Sequence, residues 1–223
     1  WVGTWGRGVA RVRDGRVETF SSKNGLTNDQ VWSLGSDREG NIWIGTWVGG
    51  LNRLADGKFL PLGTAEGLSS DNTRAVLQSR DGALWIATAG GGLNRFEDGA
   101  VTVLRAADGL ETDEISSLAE AADGSILVAT YTSGVFRVTG RRAVPLAHGS
   151  RLPTGDVRGL LEARDGSVWI GTSAGAMRVT AGRLQPAFPG EPSPPRRVIG
   201  FLEDRAGTIW IASHEGLFAW SGG

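Results

Sequence analysis

Trp5, Trp47, Tyr131 and His214 stand at one place in a phrase that the chain repeats: each directly follows a tetrapeptide of the "WIGT" type, at 1–4, 43–46, 127–130 and 210–213. The two remaining copies carry Ala89 and Ser173 there. Core packing would repeat one residue type at such a position, whereas this column varies and is rich in rings, as a ligand platform would be. A second column reads Trp32, Arg74, Ser116, Arg158 and Ile199. Together with Arg7, Arg196 and Glu215, these residues offer stacking faces and fixed hydrogen-bond donors suited to a sugar or an acidic oligosaccharide. The plainer alternative is that the rings cover the tops of structural units and the arginines are ordinary surface charge.

Residues for covalent or metal chemistry are scarce. With two histidines, His148 and His214, and no cysteine, a Ser-His-Asp triad, a His-rich metal site, a thiolate site or a disulfide lacks material. The run "GGGLNRF" from Gly90 resembles a phosphate-binding loop by eye, yet it lies between two strand candidates and opens no helix, so it reads as a turn. We expect no catalytic residues, no metal and no cofactor.

The 223 residues suffice for a sizeable core, and 40% hydrophobic and 21% charged residues with a formal charge of -1 give no field to recruit nucleic acid or an anionic membrane surface. No apolar run approaches the roughly 20 residues of a membrane span. Glycine (35) and tryptophan (9) stand out, and so much glycine without collagen periodicity implies many tight turns.

The elements that must hold the two columns follow from the repeat. Trp1, Trp43, Trp85, Leu127, Trp169 and Trp210 are spaced by 42, 42, 42, 42 and 41 residues, a period of propellers and solenoids. Within one unit, "VWSLGSD", "NIWIGT", "LNRLA" and "KFLPL" are four short strand candidates separated by turn signals, Asp-Gly pairs among them. Four antiparallel strands per unit predict an all-β protein, a β-propeller of four-stranded blades forming a single segment over residues 1–223. The division gives about 22 strands: three, then four full blades, then three. We expect an incomplete part of a ring of about six to eight blades, or of a double-propeller array. The small residues Ser33, Ala75, Ser117, Gly159 and Gly200 fit first strands crowded at the axis, and the second-strand Trp and Ile fit packing between blades. Links from second to third strand and from fourth to next first strand would emerge around one axis mouth, bringing the two columns together.

The phrase "NGLTNDQVWSLGSDREGNIWIGTWVGGLNRL" from Asn24, with weaker versions in every repeat, resembles the two-component regulator propeller repeat of bacterial sensors. Leu127 in place of Trp and the last linker, "PGEPSPPRR", depart from it. The resemblance implies the periplasmic portion of an inner-membrane protein, a homodimer through its parent, that detects a small-molecule or oligosaccharide cue and signals to a histidine kinase or diguanylate cyclase outside this chain. The segment itself would touch neither nucleic acid nor membrane. "SDREGNIW" also resembles the Asp-box of sialidase-like propellers, and the Gly-x-x-Trp phrase resembles virginiamycin lyases. A sialidase would need a tyrosine nucleophile and an arginine cluster; Tyr131 is the single tyrosine, and Arg74, Arg158 and Arg196 have no evident acid/base partner. A lyase would want a catalytic histidine. An interaction scaffold holding a protein on the same face is the other reading.

Two further columns are expected to be structural. Arg11, Arg53, Arg95, Arg137 and Arg178 in the third strands should be solvated or paired, and Glu120, Glu162 and Glu203, late in the first strands, suggest a bottom-face or channel ring with room for a cation.

Overall fold

Strand formation follows the burial the sequence demands. Ile42–Thr46 is apolar or small throughout and is buried along nearly its whole length, as a strand covered on both faces must be, whereas Lys58–Leu62 alternates and faces solvent on one side. The computed structural model describes residues 1–147, 152, 156–191 and 193–221; His148 lies outside them. Among the described residues the chain forms 22 strands in six antiparallel sheets of three, four, four, four, four and three strands. These are the six blades of an all-β propeller, spanning residues 2–20, 31–62, 73–104, 115–145, 157–186 and 198–220. Six is itself a usual complement for a propeller, so the blade count gives no ground for the expected incompleteness. The blades fall into two compact units, residues 1–106 with 113–115, and residues 107–112 with 116–223.

Within each unit the blades are joined by apolar layers. Trp43, Leu51, Leu84 and Ile86 bury one another between blades 2 and 3, and Trp169, Val198, Ile209 and Ile211 do so between blades 5 and 6. Small first-strand residues have the predicted reason: a Cβ added to Gly159 would lie 2.8 Å from the Cα of Gly200 in the next blade.

Asp-Gly pairs serve two turns of different geometry. Between third and fourth strands, Asp56 and Gly57 both have positive φ (49° and 74°), the two-residue hairpin that matches strand twist. Between first and second strands, only the glycine is left-handed, as at Gly82 (φ 98°), and the aspartate caps the turn: Asp81 accepts the Ser79 hydroxyl at 2.5 Å and the Ala83 N–H at 3.1 Å.

The second-strand tryptophans are anchored to these turns. Trp43 Nε1–H donates to Asp37 at 2.8 Å, Trp85 to the Ser79 hydroxyl at 3.1 Å and Trp210 to Asp204 at 2.9 Å, each acceptor lying six residues upstream. Blade 4 has Ala121 and Leu127 at the two positions, so acceptor and donor are missing together. Blade 5 has Ala163 opposite a retained Trp169, and the buried Trp169 Nε1 has no hydrogen-bond partner.

Of the third-strand arginines, Arg11, Arg95, Arg137 and Arg178 pair with carboxylates, and Arg53 lies 5.9 Å from the Trp43 ring centroid. Trp85 and Arg95 face each other in register; the guanidinium lies 5.6 Å from the ring centroid and bonds Asp81 and Glu97. Arg137 binds Asp123 and Arg178 binds Asp165 in the same way.

The late first-strand column corrects the expected channel ring. Glu162 accepts the backbone N–H of Ala122 at 3.2 Å and Glu203 that of Arg164 at 2.8 Å. Gln78 accepts the Arg38 N–H at 2.9 Å, so an acceptor recurs at the position, while Glu162 and Glu203 add ion pairs to Arg137 at 3.8 Å and Arg164 at 3.9 Å. Each of these residues ties its blade to the first hairpin of the blade before. Glu162 and Glu203 are therefore engaged in structure, and among the described residues no cluster of three or more His, Cys, Asp or Glu could hold a metal ion.

Candidate functional site

A local irregularity puts the second column at the rim. In blades 2, 3, 5 and 6 the register of the first strand shifts between Val31 and Ser33, Thr73 and Ala75, Val157 and Gly159, and Val198 and Gly200. Trp32, Arg74, Arg158 and Ile199 are thus the extra residues of β-bulges, and a bulge re-aims the side chain it inserts. The first column sits in the loop after the second strand, held by a backbone bond to the residue preceding its own blade's first strand: Trp47 N–H donates to Gln30 C=O at 2.9 Å, Ala89 N–H to Asn72 C=O at 2.9 Å.

Loop residue and bulge residue meet across the blade boundary, 27 positions apart in sequence at Trp5 and Trp32, Trp47 and Arg74, and Tyr131 and Arg158. In the first unit this builds a cluster. Trp5 meets Trp32 edge-on at 4.9 Å and Trp47 edge-on at 5.6 Å, while Trp32 and Trp47 stack at 5.8 Å with 26° between planes. Arg74 completes it, its Cζ 4.2 Å from the Trp32 centroid and 5.2 Å from that of Trp47. Trp5 stays 57% and Trp32 41% exposed, so part of each ring remains open to a ligand. Arg7 is exposed in the same loop as Trp5, and its N–H is capped by the Thr4 hydroxyl at 3.2 Å.

Val48, beside Trp47, was not foreseen. It has φ of 50°, where blades 1 and 3 carry Gly6 and Gly90 at φ of 96° and 76°, and it is 59% exposed. A β-branched residue in the left-handed region is strained. Substitution of Val for the glycine of blades 1 and 3 was the available signal.

In the second unit Arg158 bonds Asp156 through Nε at 3.0 Å and Nη2 at 2.8 Å. Hydrogen bonding to Asp156 raises the guanidinium pKa, with burial opposing and the charges of Asp156 and Tyr131 adding to the rise. Glu215 accepts the Arg196 N–H at 3.2 Å, and the His214 N–H donates to Arg197 C=O at 3.4 Å. Both of these are backbone tethers of the rim. The structure therefore gathers Trp5, Trp32, Trp47 and Arg74 around one centre in the first unit, with Arg7 in the adjoining loop. It places Tyr131, Arg158, Arg196, His214 and Glu215 on the corresponding rim positions of the second.

Three segments of the chain, residues 25–48, 67–90 and 151–174, match the family model described as two component regulator propeller. No curated protein matches the chain. Among solved structures, the extracellular domain of BT3049 from B. thetaiotaomicron, described as a hybrid two component system, superposes with a TM-score of 0.73 at 24% identity, covering 86% of this chain and 27% of that one. PorZ, a bacterial surface component of the type-IX secretion system of Porphyromonas gingivalis, gives 0.68 at 17% identity over 98% of this chain and 38% of that one. A catalytically inactive virginiamycin B lyase from Staphylococcus aureus gives 0.68 at 14% identity over 93% and 74%. These likenesses establish the propeller fold. The chain spans only about a quarter to three-tenths of the two component system domains it matches, at 27% and 31%.

Proposed function

From a chain that carries two component regulator propeller repeats, we propose a non-catalytic sensor segment of a bacterial signal-transduction protein. It binds an extracellular or periplasmic cue, an oligosaccharide, on the rim platform of Trp5, Trp32, Trp47 and Arg74. The platform carries this reading: three indoles and a guanidinium supplied by three consecutive blades, with part of the Trp5 and Trp32 rings left open. Buried rings would serve packing alone; exposed, mutually braced rings keep their hydration cost until a ligand covers them. In the parent protein the propeller stands on the periplasmic side of the inner membrane in a homodimer. Binding shifts the population of its arrangements, and a histidine kinase or diguanylate cyclase module reads the shift. The support for the output is the family of the repeat, and no helix of the described residues is long and apolar enough to cross a membrane.

Alanine at Trp47 should abolish glycan binding by the purified protein and leave its thermal unfolding cooperative. Alanine at Arg158 tests whether the rim of the second unit contributes. Unchanged affinity in both variants would refute the rim as the binding site. A second reading, docking of a protein partner, is favoured by the exposure of Val48, the residue after Trp47, which adds an exposed apolar side chain beside the rings. It predicts that Val48→Asp blocks binding of the partner as strongly as Trp5→Ala does.

A further inference from the structure

We infer that the outward sheet face of blade 6 is the surface on which two copies of this chain meet. The inference takes its occupant from the homodimer proposed above and adds the contact surface; it does not depend on what the rim binds. Strand alternation puts Gly200, Leu202, Trp210, Ala212 and Leu217 opposite the face that packs on blade 5, and together they line one shallow apolar groove. Leu51, Leu93, Val135 and Ala176 stand at one register position in the third strands of blades 2 to 5, and all four are buried. Leu217 stands there in blade 6 and is 67% exposed, with Leu202 63% exposed beside it. Gly159 of blade 5 is crowded by the next blade, whereas a Cβ added to Gly200, its counterpart, would meet nothing within 4 Å. The face is thus composed like one that lies between blades, yet its large side chains stand in water, as at an interaction surface.

The chemistry of the face points to its partner. In blades 3, 4 and 5 a third-strand arginine bonds a turn aspartate: Arg95 with Asp81, Arg137 with Asp123 and Arg178 with Asp165. Blade 6 has Ala219 and Ala206 at those positions, so base and acid are lost together, and Ala219 pairs with Trp210 where Arg95 pairs with Trp85. In blades 2 and 5 the arginine edges a face that the next blade covers. Cover by a further repeat therefore accounts for the arginine and not for its loss. An isologous contact does account for it. Across a two-fold axis the same patch serves both subunits, so a guanidinium there would be brought toward its own copy, and like charges facing each other are costly. Small Gly200, Ala212 and Ala219 among large Leu202, Trp210 and Leu217 give the relief that lets two sheet faces interdigitate about 10 Å apart.

The test is the molar mass of the intact protein, by light scattering after size-exclusion chromatography over a wide range of concentration. The mass should reach twice the 23.5 kDa of the chain and stop there, because an isologous contact closes. Leu217→Asp and Ala219→Arg should each weaken the dimer roughly tenfold or more. Both should leave the thermal unfolding of the dilute protein unchanged, since Leu217 is exposed and arginine is the residue of the sister blades. Val12→Asp, on the exposed apolar residues Val2, Val12 and Val17 of blade 1, should leave the dimer intact. A dimer that survives both blade 6 variants overturns the surface and leaves the homodimer standing. Loss of association in Val12→Asp as well, or assemblies growing beyond two chains, overturns the two-fold contact in favour of a head-to-tail one. A monomer at every concentration overturns the surface and the dimer of this chain together.

Discussion

Arg74 and Trp32 come from the first strands of different blades, yet the guanidinium carbon of one lies 4.2 Å from the ring centroid of the other. Each is the extra residue of its strand's bulge, so the irregularity that breaks the ladder also turns both side chains toward a common rim. The repeated phrase is scaffold: its glycines, turn aspartates and second-strand tryptophans recur because each blade needs the same bonds. What varies, Trp5, Trp47 and Tyr131 in one column and Trp32, Arg74 and Arg158 in the other, is where the proposed binding surface lies.

Val48 holds a left-handed conformation that blades 1 and 3 give to glycine. Relief of about 1–3 kcal/mol of strain should outweigh the roughly 0.5–1 kcal/mol entropic cost of glycine. Val48→Gly is therefore expected to stabilise the protein by about 1 kcal/mol, seen as a higher urea midpoint with unchanged slope.

Trp169 Nε1–H is buried without an acceptor, while Ala163 N–H already bonds Ser167 C=O at 2.8 Å, as Ser79 N–H bonds Ala83 C=O at 2.9 Å. Ala163→Ser would supply the hydroxyl that Ser79 provides in blade 3, and it should stabilise by about 1 kcal/mol. In a Trp169→Phe background the gain should vanish, a comparison that isolates the bond.

Much of this was legible in the sequence, and unevenly so. The period of the Trp positions and the Asp-Gly turns were enough for four-stranded blades, because strand length and turn chemistry are local. The bulges at Trp32 and Arg74 were not legible, since a bulge is defined by the partner strand's register. The fate of Glu162 was hidden for a related reason: a carboxylate at a strand end looks alike whether it faces a channel or a neighbouring hairpin's N–H. That Trp5, Trp32, Trp47 and Arg74 share a rim was foreseen from column composition; their edge-on and stacked contacts were not.

Glu162→Ala would leave the Ala122 N–H without its acceptor, whereas Glu162→Gln keeps a carbonyl there, as Gln78 does for Arg38. The alanine variant should lose about 1 kcal/mol and show faster hydrogen exchange at the Ala122 amide. The glutamine variant should keep the parent's exchange rate at Ala122 and lose only what the 3.8 Å ion pair to Arg137 contributes.

Turn aspartates should govern acid stability. Hydrogen bonds from Ser79, Ser125 and Ser167 hold Asp81, Asp123 and Asp165 below the ordinary value of 3.8. At Asp37 burial pushes the other way and is outweighed by Asn41 and Trp43. Because the unfolded chain binds protons more readily than these folded carboxylates, their stabilisation is fully present above about pH 4 and is lost as pH falls through the lower folded values. Asp81→Asn should flatten the acid limb of a stability-versus-pH curve and leave its neutral plateau nearly level.

The central claim is that the open rings of the first unit are a binding surface. Thermal unfolding of the protein against a panel of plant, host and bacterial oligosaccharides tests it most directly, since a ligand of the folded state raises the melting temperature by mass action. The account predicts a concentration-dependent rise with at least one glycan, absent in Trp5→Ala and in Trp47→Ala. A rise that persists in both variants, or no rise across the panel, would contradict it.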